Sequence, residues 1–174
     1  MPKLLNDAIL KQVKEVFDAQ LKYPVEVLFF GSTDEKNCAY CSDTRQLVDE
    51  VVAISDKLHL SIYDLDENAQ IAKSYHVDKT PTLVITARGG DGPADQSTLI
   101  EQSSIHEQSS IHEQSSIHDY GVRYVGMPSG HEFSSLIHSL ILVSGRDSGL
   151  NPQTRQFLKE LAKPIHLQVF VTPT

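Results

Sequence analysis

The chain has 174 residues, of which 40% are hydrophobic and 22% are charged, a composition typical of one globular domain of ordinary size. Its net charge is −8 and it has no basic cluster, which argues against a nucleic-acid-binding surface. No apolar segment typical of a signal peptide stands at the N-terminus, and no apolar run approaches membrane-spanning length. We therefore expect a cytoplasmic protein that binds neither nucleic acid nor membranes.

The spacing of apolar residues predicts ten secondary-structure elements. They are, in chain order, helix 6–21, strand 25–30, helix 43–55, strand 58–64, helix 67–75, strand 81–86, strand 120–125, helix 133–144, helix 152–161 and strand 165–171. Helical connections between the early strands favour parallel pairing of the first two, and the strands at 81–86 and 120–125 are expected to be antiparallel. Pro152 and Asn151 are a suitable first residue and cap for the helix at 152–161.

Cys38 and Cys41 are the only two cysteines in the chain, and two residues separate them. They stand between a predicted strand and a predicted helix, where unpaired N–H groups and the positive end of the helix dipole favour a thiolate. We expect Cys38 to be the nucleophile, with a pKa below the roughly 8.5 of a free thiol, and Cys41 to be less reactive. The alternative is a structural or zinc-binding pair, although a structural zinc site usually has four protein ligands and no second Cys pair exists here.

The element order and the place of the Cys pair resemble the thioredoxin and glutaredoxin superfamily. The closer resemblance is to the glutaredoxin-like protein disulfide oxidoreductases of thermophilic archaea and bacteria, which carry two thioredoxin-like units in tandem. The segments Asp119 to Phe133 and Val169 to Thr174 carry this closer resemblance. It implies an α/β, three-layer thioredoxin-like fold with a central mixed four-stranded sheet flanked by helices. It also implies that residues 1–163 form the N-terminal unit and that residues 164–174 are the leftover first strand of a missing second unit.

The same resemblance implies a dithiol–disulfide oxidoreductase that acts on protein disulfides through Cys38 and Cys41 and needs no cofactor. Its expected partners are protein dithiols and disulfides and a thioredoxin reductase-like electron donor. Ala39 and Tyr40 between the cysteines are expected to contact the substrate. Thr80 and Pro81 match the family's cis-proline element, where a cis bond presents the backbone to a substrate chain. The alternatives are a weakly active or non-catalytic scaffold and a metal-binding module.

A hexapeptide, Ile-His-Glu-Gln-Ser-Ser, recurs without change within residues 91–118. We interpret this segment as a surface-loop insertion between the third and fourth strands, either a recent duplication or an engineered insert. A flexible or hairpin extension is the first interpretation, and deletion of residues 97–118 is expected to preserve the fold and the thiol activity. A metal-binding tract at His106, His112 and His118 and a β-solenoid coil are the alternatives.

Two further features of the sequence carry expectations. Glu26 stands within the first predicted strand, and the resemblance to thioredoxin implies that it is a buried carboxylate near the Cys pair. The tail from Ile165 to Val171 alternates apolar and polar residues, as a half-buried strand does. We expect this tail to dock on the first unit or to form a homo-oligomer by pairing with a second chain.

Overall fold

The computed structural model describes residues 3–34, 38–89 and 117–170. Within these ranges, helices and strands follow one another in the predicted order as far as residue 159. Their bounds are α1 Asp7–Gln20, β1 Val25–Gly31, α2 Cys41–Val52, β2 Leu58–Asp64, α3 Ala69–Ser74, β3 Thr82–Arg88, β4 Ile117–Val125, α4 His131–Gly145 and α5 Pro152–Lys159. The cap predicted for the last helix is confirmed, because Asn151 Oδ1 accepts the N–H of Thr154 at 2.8 Å.

The four strands form one mixed sheet in the order β2-β1-β3-β4. β1 pairs in parallel with β2 and antiparallel with β3, and β3 pairs antiparallel with β4, so the predicted pairings are confirmed. Every residue of β1 is buried, and β3 is buried over Thr82–Ala87. Both are central strands, which explains their nearly continuous apolar sequence. The edge strands β2 and β4 are only partly buried.

The side chains of β1 alternate between two layers of helix, as the pleat of a strand requires. Val27 and Phe29 pack into the larger core with apolar residues of α1, α2 and α4. Leu28 and Phe30 point the other way, into a smaller cluster that includes Ala72 of α3. The sheet therefore separates three helices on one face from one short helix on the other, and this is the predicted three-layer arrangement.

Two boundaries differ from the sequence prediction in ways that affect the functional interpretation. α2 begins at Cys41 rather than at residue 43, so one of the cysteines belongs to the helix itself. β4 begins at Ile117 rather than at residue 120, and Ile117 and His118 pair with Arg88 and Ala87 of β3. The last two residues of the predicted insertion are thus part of the sheet. The rest of the repeat lies outside the described residues.

The pairing of Arg88 with Ile117 makes the repeat segment testable by replacement. Opposite residues of antiparallel strands have Cα atoms roughly 4.5–5.5 Å apart, so the 28 residues 89–116 can be exchanged for a two-residue Asn-Gly hairpin turn. We expect an unchanged or higher free energy of unfolding in urea, because the shorter connection loses less entropy on closure. We also expect unchanged thiol reactivity. A large fall in stability would show that the segment contributes to the fold, whereas deletion through residue 118 would also remove sheet pairs.

The tail does not form the predicted strand over residues 165–170, which have no regular secondary structure. The predicted docking on the first unit is also wrong, because Leu167, Val169 and Phe170 are 85–88% exposed and Ile165 is 59% exposed. A period of two favours a strand only where a neighbouring strand supplies backbone partners and a core surface, and within the described residues β4 ends the sheet on one side and β2 on the other. Association of the tail with a second chain stays a prediction.

Truncation after Lys163 tests whether the tail stabilises the monomer and whether it mediates association with a second chain. The side chains removed are exposed, so we expect the melting temperature of the monomer to stay unchanged, since substitutions of exposed residues usually alter stability by less than about 0.5 kcal/mol. Light scattering of the full and truncated chains tests association. If the tail mediates a dimer, the full chain is larger in solution and the truncated chain is monomeric; equal sizes would contradict association through this segment.

Candidate active site

Cys38 and Cys41 form a disulfide at the junction of β1 and α2, with their Cα atoms 5.4 Å apart. Cys41 is the first residue of α2, and Cys38 precedes it in the turn that leads into the helix, where the N–H of Cys41 reaches the carbonyl oxygen of Cys38 at 3.5 Å. Cys38 and Cys41 are 6% and 9% exposed, so their exposure does not indicate which of them is the nucleophile. The pair is therefore a surface-proximal but covered disulfide at the positive end of a helix.

Gly31, the last residue of β1, allows the disulfide to pack directly on the strand. A Cβ atom at this position would lie 3.3 Å from Cys41 Sγ and 2.6 Å from Cε1 of Phe29. Next to it, the backbone N–H of Ser32 donates to Cys41 Sγ at 3.4 Å. The backbone at the end of β1 thus contacts the sulfur of Cys41 closely, and this contact requires that residue 31 have no side chain.

Asp64, the last residue of β2, orders the segment that follows β1. Its carboxylate accepts the backbone N–H of Thr33 at 2.8 Å, and the N–H groups of Asp66 and Glu67 at 2.9 and 3.2 Å. The backbone N–H of Leu65 donates to the carbonyl oxygen of Gly31 at 2.9 Å. The hydrogen bonds from the N–H groups of Glu67 and Thr33 lower the pKa of Asp64. The carboxylate therefore remains ionised at neutral pH and holds the loop next to the disulfide.

Thr80 and Pro81 lie at the same end of the sheet as the disulfide. The Thr80–Pro81 peptide bond is cis, as the family resemblance implied. Phe30 of β1 pairs with Thr82 of β3, so continuing this antiparallel register places Pro81 opposite Gly31. Pro81 is buried and Thr80 is half-buried. The carbonyl oxygen of Pro81 accepts the N–H of Gly126 at 2.8 Å, which ties this position to the end of β4.

The residues between the cysteines face solvent. Ala39 is exposed and Tyr40, the N-cap residue of α2, is 61% exposed. The predicted substrate-binding residues thus occupy one end of the sheet with the disulfide, two of them from the loop before α2 and two from the entry to β3.

Glu26 is buried, as expected, but it does not lie near the Cys pair. It is the second residue of β1, whereas the disulfide packs on Gly31 at the other end of the strand, roughly 16 Å away at about 3.3 Å per residue. Its carboxylate accepts Ser61 Oγ at 2.7 Å and Arg88 Nη1 at 2.9 Å. The expected burial is therefore confirmed, whereas the expected position near the cysteines is wrong, because Glu26 stands at the start of β1 and the disulfide packs at its end. Glu26 belongs to a structural ion pair.

A cleft of about 990 Å³ opens between α2 and β2 and reaches both cysteines. Its polar lining includes Arg45, Gln46 and Asp49 of α2 and Asp64 of β2. Arg45 and Asp49 form an exposed ion pair at 3.7 Å. Thr80 and Pro81 do not line this cleft.

The described residues contain no group of three or more His, Cys, Asp or Glu side chains placed to hold a metal ion. His118, one of the three repeat histidines, contacts the ring of Tyr120 edge-on at a centroid distance of 4.4 Å. His106 and His112 lie outside the described residues. In the same described ranges, no helix is long and apolar enough to cross a membrane.

Residues 25–89 match the sequence model of the thioredoxin domain family. This range runs from the start of β1, through the disulfide and the cis-proline, to the end of β3. The chain contains a thioredoxin-like domain. The predicted resemblance and the predicted fold class are therefore confirmed.

The known proteins that resemble this chain carry the names of redox proteins. A protein disulfide oxidoreductase from Aeropyrum pernix k1 superposes with a TM-score of 0.64 and 22% identity, over 90% of this chain and 55% of that one; at this identity it shows the fold. A stretch of 54 residues is 37% identical to an alkyl hydroperoxide reductase component from Staphylococcus epidermidis, covering 31% of this chain and 11% of that protein. A stretch of 56 residues is 34% identical to an NADH dehydrogenase of Bacillus subtilis, covering 32% and 11%.

The chain thus spans about a tenth of the length of the curated relatives that it matches, and slightly more than half of the Aeropyrum protein.

Several residues of the site were not identified from sequence. Gly31 ends an apolar run and Asp64 ends a strand, and both positions are common for turn-forming residues. Their contacts with the Cys41 sulfur and with the Thr33 N–H depend on bringing β1, β2 and α2 together. The tendency of aspartate to accept the N–H groups two and three residues ahead, as Asp64 does, is the local signal that the sequence offers for this role.

In the reduced domain we expect iodoacetamide to label Cys38 faster than Cys41 at pH 6. Cys41 lies within α2, faces Gly31 and is contacted by the Ser32 N–H, whereas Cys38 precedes the helix and faces its positive end. Mass mapping of the labelled peptides measures the order. Preferential labelling of Cys41 would reverse the roles assigned to the two residues.

Proposed function

We propose that the chain is a dithiol–disulfide oxidoreductase that acts on the disulfides of other proteins. The Cys38–Cys41 disulfide carries this proposal, because it joins the first residue of a helix to the preceding turn within a domain that matches the thioredoxin family. A Cys pair at a helix N-terminus suits reversible thiol chemistry, because the positive end of the helix dipole favours the thiolate. The name of the Aeropyrum protein, which shares the fold, favours the same substrate class.

In the proposed reaction, the thiolate of reduced Cys38 attacks one sulfur of a partner's disulfide. The partner's S–S bond breaks, its other sulfur leaves as a thiolate, and a mixed disulfide forms on Cys38. The Cys41 thiolate then attacks the Cys38 sulfur and releases the partner's first sulfur as a thiolate. Two electrons have moved to the partner, which takes up two protons, and the Cys38–Cys41 disulfide has formed. The reverse sequence oxidises a partner dithiol.

The substrate chain would lie across the exposed Ala39 and Tyr40 and along the entry to β3 at Thr80 and Pro81. These residues come from two loops at the disulfide's end of the sheet. We propose that a thioredoxin reductase-like protein regenerates the dithiol. The name of the alkyl hydroperoxide reductase component that resembles part of this chain is consistent with redox partners of this kind.

We also propose that residues 1–163 form one unit of a protein that contains further units. α5 has no buried residue, and the tail beyond it is exposed, as expected of a segment that leads to another surface. Association of the tail, residues 164–174, with a second chain is part of this proposal.

Reduction of insulin by dithiothreitol tests the proposed activity. The full chain should accelerate precipitation of the insulin B chain, and a variant with both Cys38→Ser and Cys41→Ser should give the uncatalysed rate. Circular dichroism of both proteins controls for folding. Equal rates for the two folded proteins would overturn the enzymatic proposal and favour a non-catalytic scaffold.

A further inference from the structure

Thr44 lies on the buried face of α2, one turn after Cys41. It is 0% exposed. Its hydroxyl is the buried side-chain polar atom that lacks a hydrogen-bond partner among the residues described. Most buried hydroxyls in proteins are paired, and leaving one unpaired is unfavourable. With the disulfide closed, the domain therefore holds an unused hydrogen-bonding group directly behind its reactive pair.

Among the buried residues of α2, Cys41 is the one that can hydrogen-bond to Thr44. The other buried residues of this helix face are apolar: Leu47, Val48 and Val51. Cys41 is three positions earlier, and side chains at this spacing are neighbours on a helix, with Cβ atoms roughly 5–6 Å apart. Its sulfur is the nearest atom on this helix face that gains hydrogen-bonding capacity during the proposed reaction.

Reduction changes what the Cys41 sulfur can do. In the disulfide this sulfur is bonded to the sulfur of Cys38, carries no proton and is held in one place against the Ser32 N–H. Once the S–S bond is broken, Cys41 carries an S–H donor or, as a thiolate, a charged acceptor. Its side chain is then also free to rotate about the Cα–Cβ bond. Both changes make a bond to the Thr44 hydroxyl available.

We propose that Thr44 is a positioning residue whose hydroxyl hydrogen-bonds to the Cys41 sulfur in the reduced state and not in the oxidised state. The bond stabilises the dithiol relative to the disulfide and so raises the reduction potential of the pair. The inference rests on the proposed function and adds a residue that sets the direction of the reaction.

The equilibrium with glutathione measures this effect directly. Reduction breaks the Cys38–Cys41 bond and takes two electrons and two protons from two glutathione molecules, which become one glutathione disulfide. The ratio of dithiol to disulfide is read after acid quenching and alkylation. No protein substrate is involved, so the result is independent of whether the chain reduces insulin.

The matched pair of variants is Thr44→Val, which removes the hydroxyl at nearly constant shape, and Thr44→Ser, which keeps it. One hydrogen bond made only in the dithiol corresponds to about a tenfold change in the equilibrium constant, or about 30 mV for a two-electron couple. We expect Thr44→Val to shift the equilibrium toward the disulfide by this amount and Thr44→Ser to stay close to wild type. An unchanged equilibrium in Thr44→Val, or equal shifts in both variants, would overturn the inference.

Thermal unfolding of both redox forms distinguishes a redox role from a structural one. Removing an unpaired buried hydroxyl should raise or maintain the melting temperature of the disulfide form. In the dithiol form the same change removes a hydrogen bond and should lower the melting temperature. If Thr44→Val alters the two forms equally, Thr44 is a packing residue and the inference is wrong. If instead the wild-type chain fails to reduce insulin while the redox shift is present, the proposed function fails and this inference stands.

Discussion

Replacing Arg88 with alanine is expected to lower the free energy of unfolding by about 3 kcal/mol. Arg88 Nη1 lies 2.9 Å from Oε2 of Glu26, whose side chain is only 5% exposed. Ser61 Oγ is the other side-chain partner of this carboxylate, at 2.7 Å. Without the guanidinium, a buried charge keeps one neutral hydrogen bond, and removing one partner of such a pair costs far more than the pair contributes. Because the Arg88 side chain is itself 38% exposed, water can partly replace the lost guanidinium beside the Glu26 carboxylate. The loss of stability should therefore lie at the lower end of the range for breaking buried ion pairs.

Arg45→Ala is the matched control for this prediction. Arg45 pairs with Asp49 at 3.7 Å, but both side chains are more than half exposed, so its loss should change the free energy of unfolding by no more than about 0.5 kcal/mol. A double variant, Glu26→Gln with Arg88→Ala, should recover much of the loss because it removes the buried charge. Urea unfolding of the three variants measures these differences. Equal effects of Arg88→Ala and Arg45→Ala would contradict a buried ion pair.

Gly31→Ala is expected to destabilise the domain by about 1–3 kcal/mol and to slow its thiol chemistry. The added Cβ would lie 2.6 Å from Phe29 Cε1, 2.9 Å from Phe29 Cζ and 3.3 Å from Cys41 Sγ. The Phe29 ring is the end of a side chain, but it is 3% exposed within the larger core and cannot turn away without displacing its neighbours. The remaining adjustment falls on Cys41 and on the start of α2.

Gly145→Ala separates this steric effect from the general effect of replacing a glycine. Gly145 is the last residue of α4, and a Cβ atom there meets nothing within 4 Å. Alanine should therefore be neutral or stabilising by up to about 1 kcal/mol, as helix propensities indicate. Urea unfolding and the rate of reduction of the disulfide by dithiothreitol compare the two variants. A Gly31→Ala domain as stable and as reactive as Gly145→Ala would contradict the close approach of Cys41 to β1.

The sheet could be predicted from sequence because its strands have strong local signals. β1 and β3 are nearly continuous apolar runs, as central strands of a sheet covered on both faces should be, and helical connections favour the parallel pairing of β1 with β2. The Cys pair was identifiable because two residues separate the only two cysteines. In each case, the information lies within a few neighbouring residues.

Features that depend on contacts between distant segments were not predictable in the same way. The resemblance to thioredoxin implied that Glu26 is buried, but its ion pair with Arg88, at the end of the sheet far from the disulfide, depends on the register of β1 with β3. The tail has an alternating pattern, but among the described residues no neighbouring strand pairs with it. It therefore does not form a strand, and Val169 and Phe170 remain exposed. The unpaired hydroxyl of Thr44 has no sequence signal, because whether a buried hydroxyl finds a hydrogen-bond partner depends on which residues the fold places around it.

Trapping of a mixed disulfide on the Cys41→Ser variant tests most directly that Cys38 exchanges disulfides with proteins. The variant, reduced and then mixed with excess insulin, should form a covalent adduct that survives denaturation and is released by dithiothreitol. Peptide mapping should place the insulin cysteine on Cys38, because the second thiol that would release it is absent. The Cys38→Ser variant should form far less adduct through Cys41. An unmodified Cys38 after prolonged incubation, or equal adduct formation by the two variants, would contradict the account.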